Sequence, residues 1–119
     1  MDDAYDPDLR KILHKAAKKE NIDLKDGVFL QVTGPAFETE AESRMYASLG
    51  ADTVGMSTAC ETIALRHMGV RVLSISCITN YCPNCTEEGT SHEEVQEAAH
   101  KAGADMVRLV KRTVKMIGR

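Results

Sequence analysis

The sequence has no tryptophan and only two phenylalanines in 119 residues, so aliphatic side chains and methionine must build its core. It has no apolar run long enough to span a bilayer. Its acidic start, MDDAYDPDLR, lacks the apolar region of a secretory signal peptide. The net charge of −3, without a long basic block, gives no sign of nucleic-acid binding. These absences leave a single small cytoplasmic domain as the expectation.

Four cysteines are present, and three of them lie in the stretch Cys77–Cys85, CITNYCPNC. Cys82 and Cys85 have the CxxC spacing of a zinc half-site or a redox pair. A structural zinc site needs four ligands, usually from two such pairs, and neither His92 nor the other cysteines supply a second pair. The residues after the motif are typical of a loop rather than of the helix that follows a thioredoxin-like CxxC. We therefore expect no metal here, and reduced thiols as in the cytosol.

Helix and strand signals alternate along the chain. Apolar spacing and capping boxes predict helices over residues 7–20, 39–49, 58–68 and from 91 onwards, and β-prone runs predict strands over 28–33, 53–57 and 70–79. The last run, VRVLSISCIT, has the strongest strand signal, because most of its residues are apolar or small. Helices between strands imply right-handed crossovers. The sequence predicts an α/β fold with a largely parallel or mixed sheet flanked by helices.

Ligands of such folds bind outside the carboxyl ends of the strands. That rule selects three loops, at residues 34–38, 55–57 and 79–81. We expect these loops, although distant in sequence, to meet at one edge of the sheet and to form a crevice.

Five side chains in these loops are candidates for binding, each with a structural alternative. Glu38 is either an exposed carboxylate near a helix start or an acceptor for N–H donors of a planar ligand. Asn80 is either a turn residue or a partner for a heterocyclic edge, because its amide donates and accepts in one plane. Ser57 is either a helix cap or a phosphate contact. Phe37 and Met56 are, on composition alone, core residues.

Three co-linear segments resemble the trimeric purine nucleoside phosphorylases. They are Gly34–Arg44, GPAFETEAESR; Leu49–Ser57, LGADTVGMS; and Ile75–Asn80, ISCITN. The helix start at Ser91–Val95, SHEEV, is similar to a late helix start of that family. The likeness runs over nearly the whole chain. It implies a nucleoside phosphorylase-like fold and a pentosyl transfer of purine salvage, in which a purine nucleoside and phosphate give free base and ribose 1-phosphate.

The resemblance also implies a role for each candidate around the base and the sugar. Glu38 would hold the N1–H side of the base, and Asn80 would hydrogen-bond its N7 and O6 side. Phe37 would pack near the base, and Met56 would lie beneath the ribose. The related methylthioadenosine phosphorylases carry Asp in place of Asn80. A carboxylate suits a 6-amino donor, whereas an amide suits a 6-oxo group, so inosine and guanosine are the expected substrates.

Three further residues complete the site that the resemblance implies. Ser57 would contact phosphate, which serves as the nucleophile, so that neither a metal nor a cofactor is required. His92 would lie near the ribose 5′-hydroxyl. The loop Tyr81–Cys85 departs from the family, whose residues there are smaller or more apolar, and we expect Cys82 to line the base pocket.

The resemblance covers only the C-terminal portion of the family's chain, here residues 1–119. The family's N-terminal portion supplies most of the phosphate site, including a Gly-rich loop, which this sequence lacks. We therefore expect a fragment with an incomplete phosphate site and an exposed sheet edge at its N-terminal side, and a homotrimer only for the full-length form. The alternatives are a non-catalytic binding or interaction module and a methylthioadenosine phosphorylase-like enzyme.

Overall fold

The computed structural model describes residues 1–82 and 92–118, without the side chains of residues 92–95, 98 and 101. Its helices and strands are α1 (Pro7–Glu20), β1 (Phe29–Gln31), α2 (Glu40–Ser48), β2 (Thr53–Gly55), α3 (Ala59–His67) and α4 (His92–Ile117). The two strands pair in parallel, with Leu30 opposite Val54. The predicted α/β class, with a parallel sheet flanked by helices, is therefore confirmed.

The first helix begins and ends where the sequence predicts. Asp6 caps its start, because one carboxylate oxygen accepts the backbone N–H groups of Asp8 and Leu9, both at 2.9 Å. Pro7 follows in the first turn, where a missing N–H costs nothing. Asn21 ends the helix in the left-handed conformation, with φ 56°. The observed helix confirms the predicted bounds of 7–20. The prediction was possible because all of these signals lie within or next to the helix itself.

The capping boxes predicted before α2 and α3 hold the starts of these helices. The Glu42 carboxylate accepts the N–H of Thr39 at 2.7 Å, and the Thr39 hydroxyl accepts the N–H of Glu42 at 3.3 Å. The pKa of Glu42 lies below its ordinary value. The hydrogen bond from the Thr39 N–H is the main cause, and the bond from the Thr39 hydroxyl is the second. Before α3, Glu61 accepts the N–H of Thr58 at 2.7 Å. Each box fixes a helix directly after a loop predicted to bind ligand.

The core lies between the first and the last helix and is aliphatic, as the composition requires. Its buried members are Leu13, Ala16, Ala17 and Leu109, and partly buried Ile22, Leu24, Leu73, Ile75 and Met116 pack against them. An ion pair of 2.6 Å between Glu20 and Arg112 joins the same two helices. No helix of the described ranges has both the length and the apolar content needed to cross a bilayer.

The third predicted strand, over residues 70–79, is wrong as a strand in this chain. These residues run as chain without regular secondary structure and join no sheet. The Val72 carbonyl accepts the N–H of Asp6 at 2.8 Å, whereas no backbone group from Leu73 to Thr79 is bonded to backbone of the described residues. A strand requires a neighbour as well as a β-prone sequence, and no other described segment pairs with this one.

Apolar residues on one side of the same segment nevertheless pack against the core. Leu73 and Ile75 pack against the core, whereas Ile78 is largely exposed. Cys77, which the strand prediction would bury, is exposed as well, so that expectation is wrong. The segment is therefore covered on the helical side and open on the other.

Candidate functional site

The loops that follow β1 and β2 meet, as the position of ligand sites in parallel sheets predicts. Gly34 has φ 63°, in the left-handed region that favours glycine. A Cβ at Gly34 would overlap the sulfur of Met56, so the Met56 side chain lies directly against the Gly34 backbone. Glycine is thus required here both for its backbone conformation and for the close approach.

Two apolar candidates lie on the surface at this meeting point. Phe37 is 72 % exposed and Met56 is 56 % exposed. The alternative that composition favours, packing in the core, is therefore wrong for both in this chain. Each is an exposed apolar side chain in a loop that follows a strand, and each offers apolar area to the ring or sugar face of a ligand.

Glu38 follows Phe37 in the first of these loops, two residues before α2 begins at Glu40. It is half-buried, and its carboxylate makes no hydrogen bond or ion pair within the part of the chain that the structure describes. Its backbone position is fixed, because the next residue, Thr39, belongs to the first capping box. Glu38 therefore presents a positioned acceptor to a ligand that carries N–H donors.

Ser57 follows β2 at the start of α3. Its exposed hydroxyl lies 3.2 Å from the Thr58 hydroxyl. Thr58 has φ 89°, a costly conformation for a β-branched residue. The N–H of Cys60 donates to the Gln31 amide oxygen at 2.9 Å, and the N–H of Thr58 to Glu61, so two N–H groups at this helix start are already bonded. The groups of this loop that can still bind an anion are chiefly hydroxyls. They can make one contact with a phosphate but do not form a complete phosphate site.

Asn80 ends the extended segment and is half-buried. Its amide oxygen accepts from the Thr79 hydroxyl at 2.9 Å, and its amide nitrogen donates to the Tyr81 carbonyl at 3.2 Å. An amide has two donors and two acceptor positions, so one of each kind stays available to a ligand. Within the described residues the side-chain hydrogen bonds of Asn80 go to Thr79 and Tyr81 and not to Glu38 or Met56. The convergence of this third loop with the other two stays a prediction.

The state of Cys82 differs from the sequence prediction. Cys82 is half-buried and disulfide-bonded, whereas Cys60 and Cys77 are free and exposed. The expectation of reduced thiols is therefore wrong for Cys82. Cys85, with the rest of the loop, and the side chain of His92 lie outside the described residues. In the described ranges no cluster of His, Cys, Asp and Glu is placed to hold a metal ion, and the expectation of a metal-free site stays a prediction.

Two positioning contacts were missed by sequence reasoning. Gln31 bridges the end of β1 to Cys60 in α3 through its side chain. Asp6 accepts two hydrogen bonds from Arg71, of 2.5 and 2.8 Å, and so anchors the segment that leads to Asn80. The pKa of Asp6 lies well below its ordinary range. The main cause is the hydrogen bonding with Arg71, and the second is the hydrogen bond from the Leu9 N–H. No short-range signal could have found the second pair, since its members are 65 positions apart.

Comparison with protein families gives one match that covers almost all of the chain. The model of the Phosphorylase superfamily matches residues 1–115. Purine nucleoside phosphorylase 1 of Bacillus subtilis is 46 % identical over 114 residues, which are 96 % of this chain and 42 % of that protein. Purine nucleoside phosphorylase of Bos taurus is 43 % identical over 92 % of this chain and 39 % of its own length. The chain thus spans about two fifths of the length of these relatives.

Solved structures agree with the sequence comparison. Purine nucleoside phosphorylase of Schistosoma mansoni in complex with inosine superposes with a TM-score of 0.85 at 32 % identity, over 95 % of this chain and 41 % of that one. The same enzyme in complex with adenosine gives a TM-score of 0.86 at 32 % identity, with 95 % and 42 % covered. A Schistosoma purine nucleoside phosphorylase in complex with hypoxanthine gives 0.84 at 33 % identity, with 93 % and 41 % covered. The described chain therefore folds as the matched portion of these larger proteins does.

Proposed function

The chain belongs to the Phosphorylase superfamily, and we propose that it carries the base- and sugar-binding part of a purine nucleoside phosphorylase. The reaction is a pentosyl transfer, in which inosine and phosphate give hypoxanthine and ribose 1-phosphate. One observation carries the proposal. The contact between Gly34 and Met56 brings together the two loops that carry the exposed Phe37 and Met56 and the half-buried Glu38, whose carboxylate has no hydrogen bond or ion pair in the part of the chain that the structure describes.

Recognition of the base rests on Glu38 and Asn80. Glu38 accepts the N1–H of a 6-oxopurine, and Phe37 covers the ring. The amide of Asn80 bonds the N7 and O6 side. When the glycosidic bond breaks, the purine gains electron density, and a donor fixed at N7 stabilises charge that appears only in the transition state. The local bonds of Asn80 to Thr79 and Tyr81 support this role by limiting how its amide can rotate.

The remaining roles concern the sugar, the phosphate and the pocket wall. Met56 lies beneath the ribose, and His92 lies near its 5′-hydroxyl. Ser57 contributes one contact to the phosphate, which attacks the anomeric carbon directly, so the reaction needs neither a metal nor a cofactor. Cys82, in its disulfide-bonded state, forms part of the wall around the base. A complete phosphate site requires residues beyond those of this chain.

We expect a preference for 6-oxopurines over 6-aminopurines, because Asn80 offers a donor where an aspartate would offer only acceptors. The preference is one of degree, since one related structure holds adenosine. The assignment of residues 1–119 to the C-terminal portion of the family domain, the homotrimeric full-length form and the cytoplasmic location all stay predictions.

A kinetic experiment tests the proposed function. The purified chain is assayed for phosphorolysis of inosine and adenosine, alone and mixed with the portion of the Bacillus subtilis relative that this chain does not match. We expect no turnover by the chain alone and turnover of inosine by the mixture. Turnover by the chain alone would contradict the incomplete phosphate site.

Two variants then test the base pocket in the active mixture. Asn80→Asp should raise the ratio of adenosine to inosine turnover by about tenfold, in line with the loss of one hydrogen bond to a buried group. Asn21→Asp makes the same chemical change at the end of α1 and should leave the ratio unaltered. Equal ratios for the two variants would remove Asn80 from the pocket.

A further inference from the structure

Residues 56–58 form a short loop between β2 and α3. This loop carries Met56 and Ser57, the residues proposed to contact the ribose and the phosphate. Its first end is fixed by the sheet, because Gly55 at the end of β2 pairs with Gln31 at the end of β1. The shape of so short a loop then depends on how its second end is held at the start of α3.

Thr58 forms that second end in a conformation that needs support. Its φ of 89° and ψ of −54° are costly for a β-branched residue, and such a conformation persists where the surrounding structure holds it. The Glu61 carboxylate accepts the N–H of Thr58 at 2.7 Å. The Thr58 carbonyl accepts the N–H of Thr62 at 2.9 Å and its hydroxyl at 2.7 Å. These bonds fix Thr58 on its own helix, but they do not fix the helix on the sheet.

The half-buried side chain of Gln31 links this helix start to the sheet. Its amide oxygen accepts the N–H of Cys60 at 2.9 Å, and its amide nitrogen donates to the Cys60 sulfur at 3.4 Å. Within the described residues no other hydrogen bond joins α3 to either strand. Thr62 is the one buried residue of α3, so packing adds little to the hold on this helix. The position of the first turn of α3, and with it the second end of the loop, therefore depends on Gln31.

We propose that Gln31 is a positioning residue for the sugar of the nucleoside. Through its bonds to Cys60 it holds Met56 and Ser57 where the ribose contacts this loop. Gln31 acts through the loop and not on the ligand, because both ends of its amide are bonded to Cys60. The inference rests on the proposed function and goes beyond it, since it assigns affinity for the sugar to a residue of β1 that does not contact the sugar.

The base and the sugar of the ligand should respond differently to the loss of this link. Glu38 has its own support in the capping box of Thr39. The side-chain hydrogen bonds of Asn80 within the described residues involve neither Gln31 nor Cys60. Hypoxanthine consists of the base alone, whereas inosine also carries the ribose. Loss of the link should therefore weaken the binding of inosine and spare that of hypoxanthine, whereas a residue that merely stabilised the fold would affect both or neither.

The test compares the affinities of the purified chain for inosine and for hypoxanthine in titrations followed by nuclear magnetic resonance. Gln31→Met keeps the length of the side chain and removes its acceptor and its donor. We expect it to weaken the binding of inosine by about threefold to tenfold, because the bound state must restore the loop without the hydrogen bond. Its affinity for hypoxanthine should stay unchanged. Gln96→Met makes the same chemical change at an exposed position of α4 and should leave both affinities unaltered.

Two further variants identify the hydrogen bond itself as the cause. Gln31→Glu keeps an acceptor for the Cys60 N–H, and a negative charge is favourable at a helix start, so this variant should retain the affinity of the unaltered chain for inosine to within about twofold. Cys60→Pro removes the donor at a position in the first turn of α3, where proline is tolerated. It should weaken the binding of inosine as Gln31→Met does. The two changes combined should cost little more than either alone, because they break the same bond.

Equal affinity of Gln31→Met and Gln96→Met for inosine would overturn the proposal, as would an equal loss of affinity for hypoxanthine in Gln31→Met. If circular dichroism shows that Gln31→Met does not fold, Cys60→Pro decides, and failure of both to fold would make the bond a requirement of the fold and overturn its role for the sugar. Binding of hypoxanthine by the unaltered chain without tighter binding of inosine would overturn this inference and leave the base site in place. Binding of neither compound would overturn the proposed function and this inference with it.

Discussion

The side chains of Asp6 and Arg71 are joined by two hydrogen bonds of 2.5 and 2.8 Å across 65 positions of sequence. The same carboxylate caps α1, and the N–H of Asp6 donates to the Val72 carbonyl at 2.8 Å. The start of the first helix therefore fixes the start of the segment that ends at Asn80. Asn80, which we propose to bind the base, thus lies at the far end of a segment whose start is held by an ion pair.

This pair predicts how stability depends on pH. The pKa of Asp6 lies below its ordinary value, so the charged carboxylate stabilises the fold above about pH 4, and that contribution is lost as the pH falls towards its lowered pKa. Asp6→Asn keeps a good helix cap but loses the charge. We expect the melting temperature of the variant to fall less between about pH 6 and about pH 2 than that of the unaltered chain.

Thermal unfolding followed by circular dichroism measures both changes. Some pH dependence should remain in the variant, because the pKa values of Asp26 and Glu42 are also lowered, by Arg10 and by the Thr39 N–H respectively. Asp23→Asn, at a side chain 82 % exposed, is the control and should behave as the unaltered chain does. Equal pH dependence of Asp6→Asn and Asp23→Asn would contradict the role given to Asp6.

The contact between Gly34 and Met56 predicts an unusually harmful alanine substitution. Gly34→Ala forces a side chain into the left-handed region and into the Met56 sulfur. Gly50→Ala meets the same backbone penalty at φ 88°, with no atom within 4 Å of the new Cβ. Urea unfolding should find Gly34→Ala less stable than Gly50→Ala by roughly 1–3 kcal/mol, the range for overpacking.

A second substitution identifies the cause of that difference. If the methionine side chain is the obstacle, Met56→Ala should remove most of the difference in stability between Gly34→Ala and Gly50→Ala, while the backbone penalty stays, and the changes at positions 34 and 56 should be non-additive. Additive effects would mean that the two loops do not meet at this contact, and the site built on them would lose its support.

The contact between the first and the last helix predicts the largest loss of stability. Leu109 is 2 % exposed and packs in the cluster with Leu13, Ala16 and Ala17. Leu109→Ala should cost about 2–5 kcal/mol in the free energy of unfolding. Val114→Ala, on the same helix at 62 % exposure, should change it by about 0.5 kcal/mol or less. Similar losses for both would place the core elsewhere.

Local signals in the sequence predict the helices well and the sheet poorly. The bounds of α1 follow from Asp6, Pro7 and the apolar spacing, all within a few residues of one another. The strand predicted at 70–79 fails for the opposite reason. Its residues favour a strand, but a ladder also needs a neighbouring segment, and none of the described residues pair with it.

The candidate site likewise has features that the sequence predicts and features that depend on the tertiary structure. That the loops after β1 and β2 meet could be predicted, because topology alone brings the ends of parallel strands together. The exposure of Phe37 and Met56 could not, since composition suggests burial and only the tertiary arrangement decides. The disulfide state of Cys82 was also mispredicted, because CxxC spacing fits several chemistries and the cytosolic expectation favoured a thiol.

Titration of the chain with hypoxanthine, observed by nuclear magnetic resonance, tests the proposed base site most directly. If Glu38 and Asn80 hold a 6-oxopurine, the backbone signals of residues 37–38 and 80 should shift together. Glu38→Gln should weaken binding by about tenfold or more, the effect of losing a hydrogen bond to a charged group. The exposed control Glu97→Gln should bind as the unaltered chain does. Equal affinity of Glu38→Gln and Glu97→Gln, or shifts confined to residues outside these loops, would contradict a purine site at this edge of the fold.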